Sequence, residues 1–395
     1  MKARDSVKNY DSKIREYVNY SYRQSKNACK NYGPRPAGSD SEKELQKHLV
    51  SELETCADEV KTENFTFSKT TSFSENIFTL VFFVLAVALV VLECFGVFPN
   101  DTFPAISVAG LVIFGVANIF TGYTGKIFAK KTESTNIFAV RNADKQATKR
   151  LLLLANSDSS PKHKFNTFPF VIVSTVGFLL TIIVMFLNSA LDIFSEVPNL
   201  RFASLVLLLF IPFAVIPLFA DGKDSSEGAS KNLSGSFASI AVLKYLKDNG
   251  IEMPSLEIDV LITSAHEYDS AGAKAFANAH SSDFSDIETV CICLDSIACS
   301  EENLGLIKAK AYEKASKIIT DGAEDNGNEI GDSTLQGKYV SDAAAISSIG
   351  IDACALTSLG TDYAKAPDTF EDMKVKTIET ALKTLVSGIF LYEEK

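Results

Sequence analysis

The sequence contains four apolar stretches that are each long enough to cross a lipid bilayer as a helix, which takes about 20 predominantly apolar residues. They run over residues 77–98, 103–123, 168–187 and 202–220. A helix in the core of a soluble protein is rarely this long and this apolar. The stretches therefore predict four transmembrane helices, and the rest of the fold has to accommodate them.

The connections between these stretches arrange the predicted helices as two hairpins. Residues 99–102 and 188–200 are short connections that contain acids but no Lys or Arg, whereas residues 124–167 contain nine Lys and Arg residues. By the positive-inside rule, the polar segments and both termini are expected to face the cytoplasm. The predicted organisation is one soluble domain, built from 1–76, 124–167 and 221–395, with membrane hairpins inserted at 77–123 and 168–220.

Charge and cysteine content exclude several classes of protein. The net charge of -11 argues against nucleic acid as a partner, because phosphate binding needs clustered Lys and Arg. The seven cysteines form an odd number and include no CxxC pair, as expected of reduced thiols in the cytoplasm. The first fifteen residues carry charges throughout and lack the apolar core of a secretory signal.

Outside the apolar stretches, short runs rich in Val, Ile and Leu alternate with helical segments, which predicts an α/β fold with a mostly parallel sheet. The predicted strands are 136–141, 150–155, 257–264, 289–295 and 351–356. The predicted helices are 41–55, 232–248, 270–280, 341–349 and 372–393. In such sheets functional residues gather after the carboxyl ends of strands. The candidate loops therefore begin at Asn156, His266, Asp295 and Ser358.

Four polar segments carry a resemblance to a known family. They are "YGPRPAGSDSEKELQKHL" (32–49), "GASKNLSGSFASIAVLKYLKDNGI" (228–251), "AHEYDSAGAKAFA" (265–277) and "SDAAAISSIGIDACAL" (341–356). Together they resemble the di-zinc aminopeptidases of peptidase family M28, which include leucyl aminopeptidases and glutamate carboxypeptidases, and more closely a clostridial, membrane-inserted branch. The resemblance implies a zinc-aminopeptidase-like, three-layer αβα domain with the membrane hairpins as insertions.

The resemblance also implies five metal ligands and one catalytic base, most of which are replaced here. Two ligand positions are retained, at Glu267 and Asp295, and the position of the general base is occupied by His266. The other ligand positions are lost, at Asn156, at Lys231 and at Ala364, or Lys365 if the match is anchored on the following proline. The resemblance places four more residues in the same groove: Asp158, Asn232, Asp342 and Tyr363.

Lys231 inverts the charge at the position of the bridging ligand. An ammonium group beside Glu267 and Asp295 would satisfy both carboxylates and repel a divalent ion. We therefore expect a Lys231, Glu267 and Asp295 ion cluster in place of two zinc ions, and no metal cofactor. The expected protein is a catalytically inactive pseudopeptidase that acts as a binding or scaffold subunit in the membrane, with a membrane protein or a peptide as its partner.

Two other functions stay open. The chain could be an active, membrane-bound zinc metallopeptidase whose altered site uses Asp158, Glu267, Asp295 and a further ligand. It could also be a transporter or channel subunit, although four spans are few and no charged residue lies in the middle of a span. His266 is either a general base or a hydrogen-bonded structural residue. His48, His163 and His280 are expected to be structural, and the acidic stretch 321–332 departs from the spacing of a calcium loop.

Overall fold

The computed structural model describes residues 10–95, 97, 115, 123–191, 193–284, 286–299, 304–310, 313–337, 340–358 and 368–395. The chain divides into two compact units. The first consists of Met1–Phe67, Thr132–Pro161 and Asp224–Lys395, and the second of Ser68–Lys131 and Lys162–Lys223. Each unit is described by itself below.

The strands of the described residues, in chain order, are β1 Glu59–Lys69, β2 Lys130–Arg141, β3 Lys149–Asn156, β4 Pro161–His163, β5 Asp221–Ser225, β6 Leu256–Thr263, β7 Glu288–Leu294, β8 Gly305–Lys308 and β9 Asp352–Thr357. Within the described residues, seven of them form one sheet in the order β1-β2-β6-β3-β7-β9-β8, and β4 pairs with β5. All five strands predicted from the sequence are present: four lie within one residue of their predicted bounds, and β2 begins six residues before its predicted start.

The sheet is mixed, with the predicted parallel arrangement in its four central strands and antiparallel strands on either side of them. Strands β6, β3, β7 and β9 run parallel to one another, but β2 is antiparallel to β6, and β8 is antiparallel to β9. Buried apolar runs read the same in either direction, so the sequence pattern does not give the orientation of a strand.

The helices of the described residues are α1 Tyr10–Tyr32, α2 Asp40–Glu54, α3 Ser72–Cys94, α4 Tyr123–Ile127, α5 Phe168–Leu191, α6 Ile193–Glu196, α7 Asn199–Ala203, α8 Ile211–Val215, α9 Ser234–Asp248, α10 Ala271–Ala279, α11 Lys314–Asp325, α12 Ala343–Ser347 and α13 Val375–Glu394. Residues Ser204–Phe210 and Ile216–Phe219 form 3₁₀ turns, and Ala229–Leu233 form a π turn. Helix α2 begins as its sequence predicts, because the Ser39 side chain accepts a hydrogen bond from the backbone N–H of Glu42.

Side chains on the two faces of the sheet belong to two apolar cores. Leu151 and Leu153 of β3 pack with residues of α1, α2, α9, α11 and α13. Leu152 and Leu154 point to the opposite face and pack with Phe276 of α10 and with residues of α12. This alternation along one strand gives a helix layer, a sheet and a second helix layer, as the three-layer prediction requires.

In the second unit, two helices of the described residues are long and apolar enough to cross a membrane. They are Ser72–Leu92 and Phe168–Asn188, with mean hydropathies of 2.5 and 2.7. The predicted span at 202–220 is not one continuous α-helix, because Pro212 and Pro217 lack backbone N–H groups and the chain there alternates between α-helix and 3₁₀ turns. The predicted span at 103–123 lies outside the described residues except at its end and at residue 115. Four transmembrane helices are therefore not confirmed.

Candidate functional site

The loops after β3, β6 and β7 meet at one edge of the sheet, because the carboxyl ends of parallel strands lie side by side. The loops after β6 and β7 hold residues in the left-handed backbone region that rarely suits side chains other than glycine. These are Ala265, Asp269, Ser270 and Ser296, with φ between 51° and 63°. Such conformations cluster at functional sites, where surrounding contacts hold them in place.

Asp158, His266 and Asp342 form one hydrogen-bonded cluster at this edge. Nδ1 of His266 lies 2.7 Å from Oδ1 of Asp342, and the other carboxylate oxygen of Asp342 accepts a 2.6 Å hydrogen bond from Thr263 Oγ1. Oδ1 of Asp158 accepts hydrogen bonds from the backbone N–H of His266 at 3.3 Å and from Nδ2 of Asn156 at 3.1 Å. The Asn156 amide thus donates to Asp158, an acid that the resemblance places in the groove.

Burial and neighbouring charges together determine the pKa values of the three residues in this cluster. Burial alone lowers the pKa of His266, but the charge and hydrogen bond of Asp342 outweigh it and hold that pKa well above its ordinary value. Burial raises the pKa of Asp342, yet His266 brings it below the usual range. For Asp158, burial and the nearby Glu42 charge raise the pKa to about 7. The cluster therefore favours an imidazolium paired with a carboxylate.

Lys231 lies in the π turn that precedes α9, and its backbone is held from both sides. The carboxylate of Asp368 accepts 3.0 Å hydrogen bonds from the backbone N–H groups of Ser230 and Lys231. The carbonyl oxygen of Lys231 accepts a 2.9 Å hydrogen bond from the N–H of Ser296, in the loop after β7. Local π-helical geometry is frequent at functional sites. The adjacent Asn232 side chain is buried.

Close packing fixes where α9 begins. A Cβ atom added to Gly235 would lie 2.0 Å from the carbonyl oxygen of Leu294, at the end of β7. Ser236 Oγ donates a 2.9 Å hydrogen bond to the carbonyl oxygen of Asn156, at the end of β3. The glycine and serine of "NLSGS" thus bring the Lys231 turn against the ends of two central strands.

Glu267 and Asp295 lie in the same cluster of loops, and each carboxylate accepts a hydrogen bond from a hydroxyl group. Ser160 donates to Glu267, and Ser296 Oγ donates to Asp295 Oδ1 at 2.8 Å. Among the ion pairs that the described residues form within 4.0 Å, none joins Lys231 to either carboxylate. The three-residue ion cluster expected from the sequence therefore stays a prediction.

Two buried charged residues of "YGPRPAGSDSEKEL" support the site and were not singled out from the sequence. Glu42 accepts hydrogen bonds from the Gly38 N–H at 2.7 Å and from Oγ of Ser134 and Ser157 at 2.9 and 3.0 Å. The guanidinium of Arg35 is fully buried and donates to the carbonyl oxygens of Gly33 and Glu227. In the sequence, each of these charged residues lies close to a glycine and to the start of α2, but their partners Ser134, Ser157 and Glu227 are distant along the chain.

The other residues that the sequence analysis considered are packed or paired within the fold, lie in a strand, or fall outside the described residues. The His48 ring packs between Tyr32 and Phe237, and both ring nitrogens of His280 lie 2.8 Å from carboxylate oxygens. In the acidic stretch 321–332, Asp332 forms an ion pair with Lys308 at 3.2 Å. His163 lies in β4. The positions of Tyr363, Ala364 and Lys365 fall outside the described residues.

The donor groups at this edge of the sheet do not fit a two-zinc centre. Zinc in proteins is bound by imidazole nitrogen, carboxylate oxygen and thiolate sulfur. Two of the positions that the resemblance assigns to zinc carry an amide, at Asn156, and a cation, at Lys231, and the Asn156 amide is already hydrogen-bonded to Asp158. Across the described ranges, no three His, Cys, Asp or Glu side chains are grouped so that they could hold a metal ion.

The architecture is that of zinc-dependent exopeptidases and glutaminyl cyclases. A zinc-dependent exopeptidase from Parabacteroides distasonis is 15% identical, with 94% of this chain and 97% of that chain covered and a TM-score of 0.56. A glutaminyl cyclase from Fimbriiglobus ruber is 13% identical, with 95% of each chain covered and a TM-score of 0.57. BSAP, a zinc aminopeptidase from Bacillus subtilis, is 12% identical, with 95% of each chain covered and a TM-score of 0.56. At such identities, the likeness shows the fold.

Comparison of the sequence with protein-family models gives a related result. Residues 219–388 match the model of peptidase family M28, which confirms the resemblance to that family in the three motifs between residues 228 and 356. The matched residues include Lys231, His266, Glu267 and Asp295. No curated protein matches the chain.

Proposed function

We propose that this chain is a membrane-anchored pseudopeptidase, whose M28-like domain binds a peptide or protein segment in its groove and does not hydrolyse it. The observation that carries the proposal is the position of Lys231. Its backbone is fixed by Asp368 and Ser296, and the resemblance puts the bridging ligand at this residue, so we infer a cation in place of that ligand. An ammonium at that place opposes divalent metal binding through its charge.

The bound segment is proposed to be a peptide terminus or a part of a membrane partner. The groove offers acceptors at Asp158, Glu267 and Asp295 and a cation at Lys231, which suits a ligand with both amide and charged groups. A scaffold role needs such a groove but no activated water. Binding as a scaffold and hydrolysis can therefore be distinguished by experiment.

Zinc content tests the pseudopeptidase proposal. We expect the detergent-purified chain, supplied with zinc and freed of loosely bound ions, to retain well below one zinc ion per chain by mass spectrometry. Replacement Lys231→Asp removes the cation and adds a carboxylate beside Glu267 and Asp295, so we expect it to retain more zinc than the wild type.

The matched control is Lys47→Asp, which makes the same charge change on an exposed face of α2 and is expected to leave zinc content unchanged. About one or two zinc ions per wild-type chain, together with zinc-dependent peptidase activity, would contradict the proposal.

The membrane anchor is proposed from the apolar surface of the second unit. Only 22% and 28% of the apolar windows of α3 and α5 are buried, so most residues in these windows are at least partly exposed. On α5 the exposed apolar residues follow helical spacing, as in a lipid-facing surface. They are Phe168, Ile172, Val176, Leu179, Leu180, Ile183, Phe186, Leu187 and Leu191. Four spans with the soluble domain and both termini in the cytoplasm remain the proposed topology.

Fractionation tests the anchor. We expect the full chain to stay in the membrane pellet after an alkaline carbonate wash, because buried apolar helices are not released by raised pH. A tag fused after Lys395 should resist protease added outside intact cells and become sensitive when the cells are permeabilised. Release into the wash would contradict the anchor, and cleavage of the tag on intact cells would contradict the orientation.

One observation favours an active enzyme as the second candidate. His266, at the position of the general base, is held by Asp342 at 2.7 Å, as a catalytic imidazole would be. If the wild type hydrolyses aminoacyl anilides, His266→Gln should abolish the activity, and the pseudopeptidase proposal would then fail.

A further inference from the structure

A row of four cations lies along the solvent side of α1. It consists of Arg15, Arg23, Lys26 and Lys30, and is called the basic stripe below. At about 100° per residue, the four positions fall within an arc of about 80° around the helix, over a length of about 23 Å. Both arginines and Lys30 are exposed, and Lys26 is half-buried. The apolar side chains of α1 lie on the other side of the helix and pack into the core of the first unit.

Within the described residues, no member of the basic stripe has a carboxylate partner. Arg23 Nε donates a 3.2 Å hydrogen bond to the carbonyl oxygen of Asn19, in the same helix. Arg15 forms no hydrogen bond with a described residue, and the ion pairs within 4.0 Å of the described residues include none of the four cations. The stripe thus keeps its charge available to an anion from outside, on a chain whose net charge is -11.

Lys26 and Lys30 are held in position without being neutralised. Their ammonium groups lie 5.1 and 5.8 Å from the centre of the Phe370 ring. An aromatic face attracts a cation but carries no net charge. The nearby Glu227 carboxylate accepts a 3.3 Å hydrogen bond from the backbone N–H of Phe370, and from neither lysine. The ring therefore fixes two cations at one end of the stripe, which lowers the entropy that they lose when an anion binds.

The surface of α1 favours a protein partner over a lipid bilayer. Helices that lie on a membrane bury large apolar side chains beside their cations. In the described part of α1, no large apolar side chain is exposed. Guanidinium and ammonium groups spaced along one helix suit carboxylates spaced along another chain.

We propose that the basic stripe docks an acidic segment of a partner protein, whose carboxylates pair with the two arginines and the two lysines. No member of the stripe belongs to the candidate groove, so this docking does not depend on the proposed binding in the groove. Because the pairs would be exposed to solvent, each contributes modestly and is screened by salt. The stripe therefore sets the charge of the partner and the salt dependence of the complex.

Fluorescence anisotropy of a labelled peptide tests the proposal on the full chain in an uncharged detergent. The probe is a peptide of about 20 residues with Glu at every third or fourth position among Ala and Gln, which spans the stripe as a helix. We expect saturable binding that weakens as salt rises from about 50 to about 300 mM. The test variant combines Arg15→Gln, Arg23→Gln, Lys26→Gln and Lys30→Gln. It should weaken binding by at least about tenfold, because four charge pairs are lost together.

The matched control removes four positive charges from exposed positions outside the stripe. It combines Lys47→Gln, Lys145→Gln, Lys317→Gln and Lys376→Gln. The net charge changes by the same amount as in the test variant, so a general effect of charge would appear equally in both. We expect the control to bind the peptide within about twofold of the wild type.

Four results would overturn the proposal. These are no binding to the wild type, equal binding of a peptide with Gln in place of Glu, equal loss of affinity in the two variants, and displacement of the peptide by an equal concentration of phosphatidylglycerol in the micelles. The last result would identify an anionic lipid as the occupant instead. If the fourfold test variant does not fold, Lys26→Gln/Lys30→Gln decides, because loss of the two cations on Phe370 should still weaken binding by at least about threefold.

Discussion

Glu42→Ala is expected to lower the free energy of unfolding by about 1–3 kcal/mol, because it removes an acceptor from a buried network. The backbone N–H of Gly38 loses its acceptor in this variant, whereas the hydroxyls of Ser134 and Ser157 keep Ser264 Oγ and the Thr263 carbonyl oxygen as their other acceptors. Each buried donor left unpaired costs about 1–3 kcal/mol. Ser157 stands between Asn156 and Asp158, so the loss is expected to loosen the candidate site as well.

Urea unfolding followed by far-UV circular dichroism measures this effect, since the chain contains no tryptophan for a fluorescence probe. Glu44→Ala is the matched control, because Glu44 lies on the same helix but is exposed, and its removal should change stability by less than about 0.5 kcal/mol. Equal stabilities of the two variants would show that the Glu42 network does not hold the loops together.

The central strands were predictable because they are buried on both faces. The run "RLLLLA" lies in β3, and its leucines alternate between the two apolar cores. Strand β1 was missed because "EVKTENFTFSK" is mostly polar, as an edge strand with solvent on one side allows. The helix α1 was also missed, because its many Lys, Arg and Asn residues conceal the apolar positions that pack on α9 and α13.

The sequence predicted which residues belong to the candidate site, but not which of them contact one another. Motif matching placed His266, Asp158 and Asp342 in one groove, and the structure joins them by hydrogen bonds. It could not reveal that Glu42 accepts a bond from Ser157, because 115 residues separate the two and no local pattern records the contact. The role of Asp368 under the Lys231 turn was hidden for the same reason.

The charge of Asp158 is expected to destabilise the folded protein at neutral pH, and Asp158→Asn should remove that effect. Its pKa is raised to about 7 by burial and by the Glu42 charge, against about 3.9 in an unfolded chain. Between these values the folded state binds more protons than the unfolded state, so stability falls as pH rises. The variant lacks this dependence and keeps an oxygen that can accept from Asn156 and the His266 N–H.

The stability gain of Asp158→Asn over the wild type should therefore grow from pH 5 to pH 8, to on the order of 2–4 kcal/mol. The variant Asp342→Asn is expected to have the opposite effect, a loss of stability relative to the wild type. Its carboxylate has a lowered pKa because His266 outweighs burial, so its charge contributes stability that is present above the unfolded pKa and lost as pH falls through the folded one. Urea unfolding at both pH values measures all three proteins. A constant difference between Asp158→Asn and the wild type would refute the assignment, because the buried Asp158 would then carry the same charge at pH 5 as at pH 8.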